Sequence, residues 1–315
     1  MKRKNQITQW LTLLFVGALF SATIASCKKD DDNNPVVTSN TITDKVVADA
    51  SLSLLKKAVV KAGLDATLSG TGPFTVFAPD DNAFAASGIT SATIDALTVA
   101  QLNTLLLYHT LGAKIVAADV PAGPNAKVVT ASGDSVFVTK NTSGVFINGI
   151  KVTTADITAD NGVIHKIGRV LSPPVGDIVQ TAVASGLDSL VKAVSLAGLA
   201  GTLSSGTLTV FAPTNQAFTD LLAALSLTDI NQIPIATLTA VLTYHVLSGR
   251  AFSSDLANGS LVMLGGNTTV NLSNGTGGGP TILGASNGSN KSNIIATNIV
   301  CRNGVVHLID RVLLP

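Results

Sequence analysis

The second half of this chain repeats the first. Phe74-Thr75-Val76-Phe77-Ala78-Pro79 returns as Leu208-Thr209-Val210-Phe211-Ala212-Pro213, 134 residues later. Ala62-Gly63-Leu64 returns as Ala197-Gly198-Leu199, Tyr108-His109 as Tyr244-His245, and Asn161-Gly162-Val163-Ile164-His165 as Asn303-Gly304-Val305-Val306-His307. Landmarks repeated in one order mark a tandem duplication, so each copy has to close its own core within the ordinary domain size of about 100–150 residues. The copies are expected over 41–172 and 175–315, separated by the stiff Pro173-Pro174 pair. The offset grows from 134 to 142 towards the C-terminus, so copy two carries the insertions. The largest is expected in Asn274 to Lys291, whose Gly, Asn and Ser content reads as a mobile loop.

Each copy opens on a helical pattern, Leu54, Leu55, Ala58, Val59 and Ala62 in the first, closed by Gly63. A short β run, Phe74 to Phe77, ends at Ala78-Pro79; Asp80 and its counterpart Thr214 then read as N-caps of helices carrying Phe84 and Phe218. A longer helix follows with Leu102, Leu105, Leu106 and His109 on one stripe, repeated as Leu238, Val241, Leu242 and His245. The period then switches to strands separated by Asn148-Gly149 and Asn161-Gly162, strong hairpin signals because both turn residues take φ > 0. Helices first and an antiparallel sheet second make the fold class α+β.

Charge is scarce. Only 12% of residues are charged, against roughly 25% in an average soluble domain. Lys and Arg number 20 against 19 acids, all of them Asp, so nothing provides the electrostatic footprint that nucleic acid needs. At the N-terminus Lys2, Arg3 and Lys4 precede an apolar run from Trp10 to Ala22, shorter than the about 20 residues of a membrane span. Residues 1–26 therefore read as a signal peptide, and 27–40 as a polar tether.

Ile24-Ala25-Ser26-Cys27 resembles the bacterial lipobox, which implies a diacylglycerol on the Cys27 thiol and a bilayer as partner. The following Lys28-Lys29-Asp30-Asp31-Asp32 is similar to the surface-export signal of Bacteroidetes lipoproteins, which implies the outer face of the outer membrane. With Cys27 lipidated, Cys301 has no disulfide partner, and its apolar surroundings point to a buried, inert thiol.

The repeated landmarks resemble the fasciclin domain: first box at 74–79 and 208–213, central Tyr-His at 108–109 and 244–245, second box at 161–165 and 303–307. The resemblance implies two tandem domains, each a β-sandwich-like wedge with helices packed at one side. It also implies a non-enzymatic role in adhesion, an extracellular or host protein or glycan as partner, and no cofactor or metal. Phe77, Pro79, His165, Phe211, Pro213, His307 and Asp310 are then structural motif residues. Tyr108, His109, Tyr244 and His245 are the candidates for contact with a partner, because the family's Tyr-His pair is associated with adhesion. Copy one departs from the pattern, with Asp80-Asp81 for Thr214-Asn215 and Gly168 for Asp310, which leaves open the copy that binds.

All four histidines are motif residues, and no zinc-site or hydrolase spacing accompanies them. His109 and His245 lie on the apolar stripe, so neutral, buried, hydrogen-bonded imidazoles are expected, while Tyr108 and Tyr244, about 100° round the helix, are placed at a rim. Asp134-Ser135-Val136 and Asp188-Ser189-Leu190 resemble a short O-glycosylation motif of exported Bacteroidetes proteins. A glycan-capture accessory of an outer-membrane nutrient importer is the alternative function, weakened by an aromatic content of 4%. A hydrolase would need two carboxylates converging in a cleft.

Overall fold

The structure, a computed structural model, describes Ser39–Pro315. The signal-peptide and Cys27 expectations lie outside these residues. In the first repeat, helices Ile42–Ala48, Ser53–Ala62 and Asp65–Ser69 precede strand β1 (Phe74–Pro79), and helices Asp81–Ala86, Ser91–Ala96 and Val99–Tyr108 follow it. The chain then runs through β2 (Thr110–Leu111), β3 (Gly123–Val129), β4 (Ser135–Asn141), β5 (Gly144–Ile147), β6 (Ile150–Ala159) and β7 (Gly162–Ile167). The second repeat has the same course, with β8 (Leu208–Pro213), β9 (Val246–Ser248), β10 (Gly259–Met263), β11 (Gly266–Asn271), β12 (Thr281–Leu283), β13 (Ser292–Cys301) and β14 (Gly304–Ile309).

The α+β class holds, and the sheet order is the same in both copies: β2-β1-β7-β6-β5-β4-β3 and β9-β8-β14-β13-β12-β11-β10. The sheets are mixed, however, and not antiparallel as the hairpin signals imply. β1 pairs with β7, and β8 with β14, in parallel, because the helices between them form the crossover that a parallel pair requires. This pairing brings the two motif boxes side by side, with Phe77 opposite His165 and Phe211 opposite His307. Buried on both faces, β1 sends Val76 and Ala78 into a core shared with the helices and Phe77 into a second core inside the curled sheet. Full burial of Leu102 in the helical core contributes about 2 kcal/mol.

The N-cap expectations are met: Asp80 accepts from Ala83 N at 2.7 Å, and Thr214 from Ala217 N at 3.2 Å. The next residue performs a second task in both copies. Asp81 accepts from Leu54 N at 2.9 Å and Asn215 from Ser189 N at 3.0 Å, tying this helix to the start of an earlier one. Asp80-Asp81 and Thr214-Asn215 are thus equivalent clamps despite their different chemistry.

Asn148-Gly149 forms the expected hairpin, with φ of 50° and 74°. Asn161-Gly162 does not: the β6–β7 turn falls at Asp160 and Asn161, and Gly162 belongs to β7. Gly162 is required by close approach, since a Cβ there would stand 2.2 Å from the Phe74 carbonyl oxygen. Gly304 is pinned in the same way, 2.0 Å from the Leu208 carbonyl oxygen. The neighbouring asparagines clamp the helical layer. Asn161 accepts from Ile42 N and donates to the Leu68 and Gly70 carbonyls; Asn303 accepts from Ile178 N and donates to the Leu203 carbonyl.

The Gly-rich span from Asn274 to Lys291 is likewise more than a loop. It contains β12, which pairs with β11 and β13 and carries the fully buried Ile282. The alternation Thr281-Ile282-Leu283 is short enough to be hidden by the turn residues on either side.

Candidate functional site

The Tyr-His pair closes the last turn of the long helix in each copy, where it meets the sheet. His109 Nδ1 lies 2.8 Å from the Leu105 carbonyl, one turn back, and Nε2 accepts from Leu171 N at 2.9 Å. The acceptor role of Nε2 places the proton on Nδ1, which donates to Leu105. His245 repeats this with the Val241 carbonyl at 2.7 Å and Leu313 N at 2.9 Å. Each ring therefore ties the helix end to the segment that leaves the last strand of its repeat. Burial holds both imidazoles well below their ordinary range, at about 4, so they are neutral at physiological pH.

The tyrosines are not at a rim. Tyr108 and Tyr244 are 0% and 1% exposed, because the sheet curls over the helix end and covers the face that a straight helix would show to solvent. Tyr108 Oη donates to the Ser135 carbonyl at 3.1 Å and accepts from Asn148 Nδ2 at 3.0 Å. Tyr244 Oη donates to the Asn267 carbonyl and accepts from Ala285 N at 3.0 Å. Burial pushes the Tyr108 hydroxyl up to about 12. With His109 and His245 at 2% exposure, none of the four Tyr-His residues reaches a partner directly.

The second-box histidines use the opposite tautomer. His165 Nδ1 accepts from Asp156 N at 3.2 Å and Nε2 faces the Ile115 carbonyl at 2.8 Å. His307 does the same with Asn298 N at 3.4 Å and the Ala251 carbonyl at 2.9 Å; burial lowers its pKa to about 4. The rings stack on Phe77 and Phe211 with centroids 6.1 Å and 5.3 Å apart. Pro79 and Pro213 end the strands bearing these phenylalanines and hand the chain to the N-caps. Asp310 accepts from both the backbone and side-chain nitrogens of Asn293, at 2.7 and 2.6 Å. Its counterpart Gly168 keeps only the backbone bond of that pair of strands, to the Lys151 carbonyl at 3.0 Å. The Asp reaches no motif histidine, so its loss leaves the His165 bonds in place.

Cys301 is buried as its apolar run implies, and burial raises its thiol above the ordinary range. Ser135 lies half-buried in β4 and Ser189 half-buried in the first turn of helix Asp188–Leu196. Among the described residues no group of three or more His, Cys or Asp side chains converges to hold a metal ion.

The surface that brings the two repeats together was not legible as a motif. Arg250 of the second repeat lies over the Phe137 ring of the first, Cζ 3.9 Å from the centroid. The guanidinium also donates to the Cys301 and Arg302 carbonyls, both at 3.2 Å, and burial lowers its pKa. Phe137 meets the fully buried Phe252 at 6.1 Å between centroids. Polar bonds frame this contact: Asn125 Nδ2 to the Arg250 carbonyl at 2.6 Å, Thr139 Oγ1 to Asp255 Oδ1 at 2.9 Å, and Asn141 Nδ2 to the Ser254 carbonyl at 3.1 Å. Pro173-Pro174 is therefore accompanied by direct contact between the copies. A search confined to shared residues misses this seam, because the positions matching Arg250, Phe252 and Phe137 hold Lys114, Val116 and Thr269.

Two motif boxes are paired in parallel beside a buried Tyr-His staple, and the family match agrees with that frame. The model of the fasciclin domain matches residues 50–173 and 185–315. The chain belongs to the fasciclin-domain family and carries that domain twice. It is similar to protein sll1483 of Synechocystis, 34% identical over 169 residues, which cover 50% of this chain and 91% of that protein. Human periostin is 29% identical over 257 residues, 79% of this chain but 29% of periostin. The transforming growth factor-beta-induced protein ig-h3 of Sus scrofa is 34% identical over 134 residues, 42% of this chain and 19% of that protein. Among solved structures, a FAS1 domain pair from the insect cell adhesion molecule fasciclin I is 17% identical, with a TM-score of 0.42, covering 87% of this chain and 96% of that one.

Proposed function

We propose that this chain is a non-enzymatic adhesion or binding protein, lipid-anchored through Cys27 and displayed on the outer face of a bacterial outer membrane of the Bacteroidetes type. The observation that carries the non-enzymatic part is the state of the groups that would do chemistry. All four imidazoles have both ring nitrogens engaged with backbone, and both tyrosine hydroxyls are bonded and buried. A general base needs a free lone pair within reach of substrate, and these side chains spend theirs on the backbone, His109, His245 and the tyrosines joining helix to sheet and His165 and His307 joining strand to loop. Anchoring and display rest on Ile24-Ala25-Ser26-Cys27 and the Lys-Asp run after it. No helix among the described residues is long and apolar enough to cross a membrane; in this reading the lipid on Cys27 supplies the attachment. Binding is assigned to the surface that the motifs hold rigid, with an extracellular protein or glycan as partner.

One experiment addresses anchor and role together. Cells producing the full chain are labelled with radioactive palmitate, shaved with protease while intact, and assayed for adherence to immobilised matrix proteins and glycans. Label on the wild type and its absence in Cys27→Ala, loss of the protein on shaving, and adherence that depends on it are the expected results. Label retained by Cys27→Ala, or protection of the protein in intact cells, refutes the anchored display, and adherence unchanged in cells lacking the protein refutes the role.

A further inference from the structure

Beside the Arg250–Phe137 contact the repeats leave a cleft of about 450 Å³, within the size range of small-ligand sites. Its charges are unbalanced. Lys127, Arg250 and Arg302 line it against one carboxylate, Asp134, in a chain with only 12% charged residues. Arg302 meets Asp134 loosely, at 3.9 Å. None of the ion pairs among the described residues involves Lys127 or Arg250. Arg250 is held instead by carbonyl dipoles and a ring face, which offset a buried cation without neutralising it. The cleft thus keeps a net positive charge in partly desolvated surroundings.

It also holds an acceptor with room for donors. Asn125 is already committed, donating to the Arg250 carbonyl while its unpartnered Oδ1 is buried out of a ligand's reach. Asp134 stands at the same wall, with its carboxylate free to accept beyond the loose contact with Arg302. A matching ligand brings an anionic group for the cations and hydroxyl donors for the acceptor. A sugar acid has both. A run of acidic peptide side chains supplies the anions but no side-chain hydroxyl to donate to Asp134.

We propose that this interdomain cleft is a binding site for a carboxylate- or sulfate-bearing saccharide. The proposal rests on the binding-protein reading above and names the chemistry of its ligand. Asn125, Lys127 and Asp134 come from the first repeat and Arg250 and Arg302 from the second, so neither repeat makes the site alone. This gives the duplication a use beyond a second copy of the same surface.

The test is calorimetric titration of the full chain with four probes: an alginate hexasaccharide, a dextran sulfate oligosaccharide, maltohexaose and hexa-aspartate. One or both anionic saccharides should bind, which identifies the preferred anion, and maltohexaose and hexa-aspartate should bind at least about tenfold more weakly. The double variant Lys127→Ser, Arg302→Ser should lose about tenfold in affinity for the saccharide, at roughly threefold for each exposed cation. Both side chains are exposed, so its urea unfolding curve should match the wild type and exclude misfolding as the cause. Equal binding of the neutral or peptide probe, no binding of either anionic saccharide, or wild-type affinity in the double variant overturns the proposal. Adherence of cells bearing the double variant separates the two readings. If it equals wild type while the titrations fail, the cleft proposal falls and the adhesion reading stands. If wild-type cells do not adhere, the adhesion reading falls and the titrations alone judge the cleft.

Discussion

Acidification from pH 7.5 to pH 5 should destabilise this protein steeply, through three imidazoles. His109, His245 and His307 titrate at about 4 in the folded chain, because burial removes water from the charged form. Unfolded, they return to about 6.5. Between these values the unfolded chain binds protons that the folded chain refuses, so their stabilisation is complete above about pH 6.5 and lost as pH falls through about 4. Each ring then costs about 2 kcal/mol at pH 5 and about 3 kcal/mol at pH 4. Together the three remove about 6 kcal/mol by pH 5, comparable with the whole stability of a small domain. Asp44, Asp49 and Asp229 are held below the usual carboxylate range by their hydrogen bonds and remain ionised across this window. Two of the three rings lie in the second repeat, which should therefore be the more acid-sensitive. Urea unfolding followed by circular dichroism at pH 7.5, 6 and 5 measures the effect, with His307→Phe as the control. That variant is less stable at neutral pH, but its stability should depend on pH about one-third less steeply. Equal urea midpoints at pH 7.5 and pH 5, or an unchanged slope in His307→Phe, would refute the assignment of neutral buried rings.

Three further outcomes follow from the geometry. Gly162→Ala drives a Cβ to 2.2 Å from the Phe74 carbonyl oxygen and should cost roughly 3 kcal/mol in denaturant unfolding. Gly112→Ala, with open space at the same test position, should stay within about 0.5 kcal/mol. Tyr108→Phe leaves the Ser135 carbonyl and Asn148 Nδ2 without their hydroxyl partner. It should cost about 1–3 kcal/mol and remove, from a spectrophotometric titration, the tyrosine that ionises at about 12. Phe137→Ala removes both the Arg250 and Phe252 ring contacts and should weaken the seam by roughly 2 kcal/mol. Differential scanning calorimetry should then resolve two transitions; a single transition at the wild-type temperature would show that the ring contacts do not couple the repeats.

The duplication, the helical stripe, the N-caps and the neutral state of His109 and His245 were legible because each follows from local spacing. Three features were not, for separable reasons. The parallel pairing of the motif boxes depends on a crossover of about 80 residues, and local periodicity carries no record of strand direction. Asn161-Gly162 presents a hairpin signature, but its conformation is decided by the Phe74 carbonyl oxygen in the neighbouring strand, far off in sequence. Tyr108 and Tyr244 were misplaced because a helical wheel knows the angle of a side chain and not the curvature of the sheet beneath it.

The seam was hidden for a deeper reason. When a repeat packs against its own copy head to tail, the two contacting surfaces are different patches, so selection acts on them differently in the two copies. Arg250 and Phe252 have become unlike Lys114 and Val116, and Phe137 unlike Thr269, because in each pair only the first-named residue meets the other repeat. What the copies share therefore records how one domain folds. What they do not share records how two domains are joined, and the cations of the cleft, Lys127, Arg250 and Arg302, lie in that second class. Asp310 and Gly168 mark the limit of this rule. They differ between copies, yet the Asp310 carboxylate bonds only within the second repeat, to Asn293. Divergence between repeats thus points to an interface where the divergent residues from both copies meet, and to local repair where they do not.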